Sequence, residues 1–327
     1  MGSNTSTEIC KSLVKMKKNY FYRFFFHSYL VLFILPIFFS GCKTTSFLLK
    51  EKYTDPQVLP IQELIPDEIK WAPVTISEQN QNYNQLITYT QYEVKATNAK
   101  WACVKIDLEA PWQIIAEPIT KNLGKRFFLL DFTKKYKTDV AVNTVPFTNA
   151  NHKYIPVSVV KIDGNTICPP NESYSTLAFK KILKNTSNFT ESNTFSNSSY
   201  VWRAKIFKNQ NEDELKDYDY AFGGFFMILD DQTIFPFEKF KRSRTSVGLS
   251  SDGRYLYLMA ACGINCPTGR NGLNYEECAL ILQKMGCKTA MEFDGGHSSG
   301  LTLQNKNLIK PSLQRMIPAA FGLKISQ

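Results

Sequence analysis

Residues 245–260, TSVGLSSDGRYLYLMA, constrain the fold more than any other stretch of the chain. Two runs of strand-forming residues flank Asp252-Gly253, and an Asp-Gly pair so placed is a strong local signal for a β-hairpin. Further strands are expected around it. In WACVKIDLE, residues 101–109, Ala102, Val104, Ile106 and Leu108 alternate with Cys103, Lys105 and Asp107, the period-two pattern of a half-buried strand. FGGFFMILDDQTIFPF (222–237) reads as a second hairpin with its turn at Asp230-Asp231, and DVAVNTVPF (139–147) as a core strand met by an Asn and a Pro. KRFFLLDFTKKYKT contains a short helix. LNYEECALILQKMG (273–286) carries the strongest helical pattern: Asn274 and Glu277 form a capping-box-like pair, Cys278, Ile281, Leu282 and Met285 form one stripe, and Gly286 ends it. TAMEF (289–293) is a short buried strand leading into Asp294-Gly295-Gly296.

With 43% hydrophobic residues, 24 Phe and 16 Tyr, the chain has ample apolar surface to bury, which excludes wholesale disorder. Its net charge of +10 is unevenly placed: residues 1–41 hold five cations against Glu8, so the remainder is only mildly basic. That is too thin a basis for nucleic-acid binding, and no nucleic-acid partner is expected. The cations at the start precede an apolar run of 16 residues, Phe24–Phe39, ending in Ser40-Gly41-Cys42. A basic segment followed by a short apolar one is the secretory signal pattern, and the run is short for a spanning helix. The small residues before Cys42 resemble a bacterial lipobox, in which the cysteine receives the lipid and becomes the mature N-terminus. Residues 1–41 are therefore read as a lipoprotein signal, 42–72 as a tether, and 73–327 as the globular domain, with 184–200 an exposed low-complexity loop. The expected location is the bacterial cell envelope, anchored to the membrane through lipid.

Six cysteines remain beyond Cys10 and Cys42, and an exported chain permits disulfides among them; sequence cannot choose the pairing. Zinc bound by Cys262, Cys266, Cys278 and Cys287 ranks well below disulfides or buried thiols, because the spacings match no standard ligand pattern. No metal and no cofactor is expected.

The segment MEFDGGHSSG (291–300) carries the most chemistry. On a strand, Glu292 and Asp294 project to one face about 6.5–7 Å apart, and two such carboxylates can divide acid and base roles at a sugar centre. A strand-end Asp that merely caps a Gly turn is the blander reading. GHSSG also fits the nucleophile elbow with Ser298 at its centre, yet no Asp, Glu or His follows Ser298. The esterase reading fails in its usual order; a triad in another order would have to run through His152. Upstream, Arg242 and Arg244 open a strand, and a guanidinium fork suits phosphate or carboxylate.

Arg-Thr-x-x-Gly from Arg244, the Asp-Gly hairpin, the capped helix and the Asp294-Gly295-Gly296-x-Ser298-Ser299 turn follow one another within about 60 residues. In that order they resemble the phosphodiester glycosidase family. The resemblance extends to Arg315 in RMIPAAFGL, to the pair Gly223-Gly224, and to Asn143 and Phe147, where the family has Asn-Gly-Gly-Phe-Phe. Thr144-Val145-Pro146 departs from those glycines, and His297 stands where Gly is commoner. The resemblance implies an α+β fold, one domain with a mixed, mostly antiparallel sheet and a few helices. It also implies hydrolysis of a sugar-1-phosphodiester, with a glycosyl phosphodiester or envelope glycan as substrate. Under it Asp294, Arg244, Glu292 and His297 form the catalytic set. Asn143, Thr245, Gly295, Gly296, Ser298, Ser299 and Arg315 then bind substrate. The rival reading is a non-catalytic surface lipoprotein, an adhesin or glycan binder on the same scaffold.

The address is directly testable. Cys42→Ala should abolish partitioning of the mature protein into detergent and block its processing, read by phase separation and by mass. Unchanged membrane association would end the lipoprotein reading.

Overall fold

A computed structural model of the chain describes residues 58–76, 85–150, 153–183, 200–237, 239–263 and 271–325. The signal run, Cys42, His152, Cys266 and most of the 184–200 loop lie outside them. Within them the architecture is α+β, three antiparallel sheets and a small hairpin with few helices.

The largest sheet has eight strands, ordered from edge to edge Ala72–Pro73, Ile87–Val94, Ala99–Asp107, Tyr255–Gly263, Arg244–Leu249, Thr289–Glu292, Met227–Asp230 and Thr233–Ile234. Its centre is the expected Asp-Gly hairpin, in register from Arg244↔Ala261 to Leu249↔Leu256, with Gly253 at φ 67°. The second sheet runs Tyr200–Phe207, Thr176–Leu183, Tyr220–Gly223, Val160–Ile162, Asn165–Cys168. The third runs Lys306–Ile309, Leu301–Leu303, Val140–Asn143, Ala320–Ile325, Trp112–Glu117. The stretch 222–237 therefore straddles two sheets: Tyr220–Gly223 belongs to one, and only Met227–Ile234 forms the second hairpin, turning at Asp231-Gln232 rather than Asp230-Asp231.

The helix Tyr275–Lys284 has its capping box, with Glu277 N–H donating to Asn274 Oδ1 and Asn274 N–H to Glu277 Oε2. Its stripe of Cys278, Ile281, Leu282 and Met285 packs with Trp101, Cys103, Met259 and Ala261 of the large sheet. This covering layer explains one difference from the sequence pattern. Trp101 and Cys103 are buried along with Ala102, Val104 and Ile106, so Ala99–Asp107 is sandwiched rather than half-buried over most of its length. A second aromatic centre forms where the sheets meet. Phe222 and Phe321 stack at 4.8 Å, and Phe179 and Phe293 approach Phe321 at 5.6 and 6.3 Å.

One further expectation changes. The tether ends earlier than residue 72: Leu64 and Ile65 are buried in the helix-side core, Trp101 Nε1 donates to Leu64 O at 2.8 Å, and Leu59 N–H donates to Glu277. Prolines and scattered charge hid a short helix, Ile61–Leu64, whose burial comes from long-range contacts. Three of the described cysteines are unbridged. Cys103, Cys278 and Cys287 are buried free thiols, Cys168 and Cys262 are also buried, and burial pushes the thiols of the first three upward. Among the described residues no cluster of three metal-ligating side chains occurs.

If residues 58–72 are part of the fold, Leu64→Ala should destabilise it by about 2–4 kcal/mol, as for other fully buried leucines. A urea midpoint identical to that of the parent would mean that this segment is a tether after all.

Candidate active site

Asn143 ends its strand and is 1% exposed. Its carboxamide joins three segments distant in sequence. Oδ1 accepts from Thr245 Oγ1 at 2.8 Å and from Gly300 N–H at 3.0 Å, while Nδ2 donates to Asp294 O at 2.6 Å. Thr245 lies on the large sheet and Asn143 on the third, so the site sits where these sheets meet.

The link between them is the segment 293–300, which leaves Thr289–Glu292 and enters Leu301–Leu303. Phe293 N–H continues the ladder to Thr245 O at 2.8 Å; Asp294 N–H then turns to Thr144 O at 2.7 Å and Gly296 N–H to Ser243 O at 2.8 Å. Gly296 has φ 62°, left-handed backbone that glycine adopts without strain. The turn closes as a single 3₁₀ turn over Gly296–Ser298. It presents Asp294 and Ser298 to Arg315, whose Nη2 donates to Asp294 Oδ2 at 3.0 Å and whose Nε donates to Ser298 Oγ at 2.6 Å. The guanidinium lies 4.6 Å from the centre of the Phe147 ring, and its side chain stays half-exposed. Burial pushes the Asp294 carboxyl upward, opposed by the Ser298 hydrogen bond and the Arg315 charge.

A separate set lies on the neighbouring strand. Arg244 and Thr245 are adjacent in a strand and project to opposite faces. Arg244 is 3% exposed, donates from Nε to Leu273 O and from Nη2 to Phe240 O, and stacks 3.9 Å from the centre of the Tyr275 ring. Glu292 pairs across the ladder with Ser246 and accepts that residue's hydroxyl hydrogen bond. Complete burial pushes its carboxyl up to about 7, against the lowering charge of Arg244. The two carboxylates therefore have different partners: Ser246 and Arg244 for Glu292, Ser298 and Arg315 for Asp294.

Of the residues singled out by sequence, Asn143, Thr245, Gly296, Ser298 and Arg315 converge with Asp294. His297 contributes its carbonyl, which accepts Arg315 N–H at 2.9 Å. Gly295 is held close to Ser243, whose carbonyl oxygen would lie 3.0 Å from a Cβ there. Gly224 packs onto the same region; a Cβ at that position would lie 2.1 Å from Glu292 O. Sequence reasoning overlooked Ser243 and Ser246, although strand alternation from Arg244 places Ser246 on that residue's face. Five buried polar atoms here, Thr144 Oγ1, Ser243 Oγ, Glu292 Oε2, His297 Nε2 and Ser299 Oγ, have no hydrogen-bond partner among the described residues.

Residues 136–324 match the model of one protein family, described as phosphodiester glycosidase. No curated protein sequence matches the chain. Among solved structures, a hypothetical protein from Synechocystis superposes with a TM-score of 0.56 at 12% identity, covering 79% of this chain and 64% of that one. The catalytic domain of zebrafish N-acetylglucosamine-1-phosphodiester alpha-N-acetylglucosaminidase, auto-inhibited by its pro-peptide, superposes with a TM-score of 0.55 at 14% identity, covering 79% and 88%. At these identities the likeness establishes the fold.

The Glu292 carboxyl has a measurable signature. Its proton is held in the folded state from its ordinary value of 4.5 up to about 7, whereas the unfolded chain releases it. Stability should therefore fall as pH rises through that window, by up to about 1.4 kcal/mol per unit. Urea denaturation across the window should show the slope flattened in Glu292→Gln. A slope that survives intact would assign it to another group, Asp294 first.

Proposed function

The chain belongs to the phosphodiester glycosidase family, and on that premise we propose that it hydrolyses the bond between a sugar's anomeric carbon and a phosphodiester. The observation that carries the reading is the knot around Asn143, which sets Asp294, Ser298 and Arg315 side by side at the junction of two sheets. In the proposed reaction the anomeric C–O bond breaks and a phosphate monoester leaves. Water adds to the sugar carbon, and its proton passes to the Asp294 carboxylate, which also stabilises the oxocarbenium-like centre.

Arg315 takes the phosphate role that sequence alone would give to Arg244. It is half-exposed and already spans Asp294 and Ser298, whereas Arg244 is buried with Nε and Nη2 committed to backbone carbonyls. Arg244 instead sets the field around Glu292. The hydroxyls of Thr144, Ser243 and Ser299 are buried beside the turn that carries Asp294 and have no hydrogen-bond partner among the described residues. Export and lipid anchoring at Cys42 would put this chemistry at the cell envelope, against a glycosyl phosphodiester or envelope glycan.

Screening the full chain against glycosyl phosphodiesters, with free sugar as readout, tests the reading. Asp294→Asn should lower kcat by about 10²–10⁴-fold with little change in KM. Arg315→Lys keeps the charge but loses the fork, and should weaken substrate binding by about 1–3 kcal/mol. Retained binding with no wild-type turnover on any phosphodiester would favour the glycan-binding lipoprotein.

A further inference from the structure

The Arg315 guanidinium, held by Asp294 and Ser298, lies over a ring of the small hairpin formed by Phe147–Ala150 and Lys153–Pro156. In that hairpin Phe147 pairs with Pro156 and Asn149 with Tyr154, so these four side chains share one face. The Phe147 and Tyr154 rings are half-buried and meet edge-on at 5.8 Å, and Asn149 on the same face is exposed. Arg126 closes the far end of the face. Its guanidinium lies 4.5 Å from the centre of the Tyr154 ring, and its Nη1 donates to the Tyr154 hydroxyl at 2.8 Å.

Backbone bonds tie both ends of this face to the site. Tyr154 N–H donates to Gly124 O at 3.2 Å, and Phe127 exchanges hydrogen bonds with Ile317 at 2.9 and 2.8 Å. The stretch 124–127 is thus held between the hairpin and the segment of Arg315, whose own N–H donates to His297 O at 2.9 Å. From Arg315 to Arg126 the path runs guanidinium to ring, ring to ring and ring to guanidinium, in steps of 4.6, 5.8 and 4.5 Å. The two cations differ in their partners. Arg315 faces the Asp294 carboxylate, whereas Arg126 is exposed, contacts a phenol, and has no carboxylate within ion-pair reach among the described residues.

We infer that Arg126 is a second anion subsite, reached from Arg315 across the Phe147–Tyr154 face, and that the phosphodiester's second alcohol carries a further anionic group. The inference rests on the reaction proposed above and names its substrate class. A guanidinium without a carboxylate partner keeps its fork for an incoming phosphate or carboxylate, and the Tyr154 hydroxyl restrains it without cancelling its charge. Between the two cations, the rings take C–H groups and the Asn149 amide takes hydroxyls. That mixture suits the polyol or sugar linking two anions. A substrate with one phosphate and a plain alkyl alcohol would leave Arg126 unused.

The test compares hydroxypropyl, phosphopropyl and carboxypropyl α-N-acetylglucosamine-1-phosphodiesters with the full chain. The phosphopropyl ester should be favoured over the hydroxypropyl ester by about fivefold or more in kcat/KM, the scale of an exposed charge-assisted contact. In R126A that ratio should fall to about one, and in Y154F, where the guanidinium loses its restraint, it should fall partway. K125A removes the neighbouring exposed charge and should keep the ratio. A carboxypropyl preference that R126A abolishes also supports the subsite and assigns it to carboxylates. Equal kcat/KM for all three wild-type substrates overturns the subsite while leaving the proposed reaction intact. A loss in K125A equal to that in R126A overturns it too, because the preference would then come from overall charge. If no ester is turned over, the reaction fails instead, and calorimetry with propanediol bisphosphate and propyl phosphate decides the subsite. Bisphosphate binding tighter by about fivefold or more, lost in R126A and kept in K125A, supports it; equal affinities overturn it.

Discussion

The Asn143 carboxamide is the interaction on which the rest of the site depends. It accepts from Thr245 and Gly300 and donates to the Asp294 carbonyl, so one buried group fixes a strand of each sheet and the turn between them. Only an amide of this length supplies both an acceptor that takes two donors and a donor for the third contact. A carboxylate would set a lone pair against the Asp294 carbonyl, and an aliphatic side chain would leave three buried polar groups unpaired. In a dry junction such unpaired groups are expensive, which makes the network stiff. The same stiff turn orients Asp294 and Ser298 toward Arg315.

Around that knot the chain places two arginine–carboxylate sets with opposite relations to solvent. Glu292 and Arg244 are enclosed between the large sheet and the Tyr275–Lys284 helix, and burial outweighs the arginine's field, so the carboxyl keeps its proton to about 7. Asp294 is also raised by burial, but a hydroxyl, a guanidinium and the Gly295 N–H all favour its charged form. Its arginine reaches half into solvent. Residues two apart in sequence are thus kept in different electrostatic surroundings, the arrangement by which one site can hold both an acid and a base.

What was legible in the sequence is what short-range chemistry decides. The capping box at Asn274 and Glu277, the helix stripe and the Asp-Gly hairpin are each set by neighbours within a few residues, and all three stand as read. The membership of Asp294, Ser298 and Arg315 in one site was legible through family resemblance. The bonding was not: Gly300 lies 157 residues from Asn143, and no local pattern encodes that contact. Burial on both faces of Ala99–Asp107 escaped notice for the same reason, since the cover over Trp101 and Cys103 comes from a helix far along the chain. Residues 58–72 looked like a tether because two prolines and several charges outweighed Leu64 and Trp71, whose partners are again distant.

The replacement of the family's glycines by Thr144-Val145-Pro146 can now be placed physically. The contacts these residues make to the site run through backbone: Thr144 O accepts Asp294 N–H, Thr144 N–H donates to Ala319 O, and Pro146 O accepts Val157 N–H. Proline lacks an N–H, but the position uses its carbonyl, so nothing needed is lost. Anchoring of Asp294 therefore survives the substitution. What changes is the wall beside Asn143, which gains a buried hydroxyl on Thr144 and a buried apolar branch on Val145 where glycines would leave bare backbone. Divergence at this point alters the packing beside Asn143 while the backbone anchor of Asp294 stays in place, which separates what the scaffold must keep from what can vary.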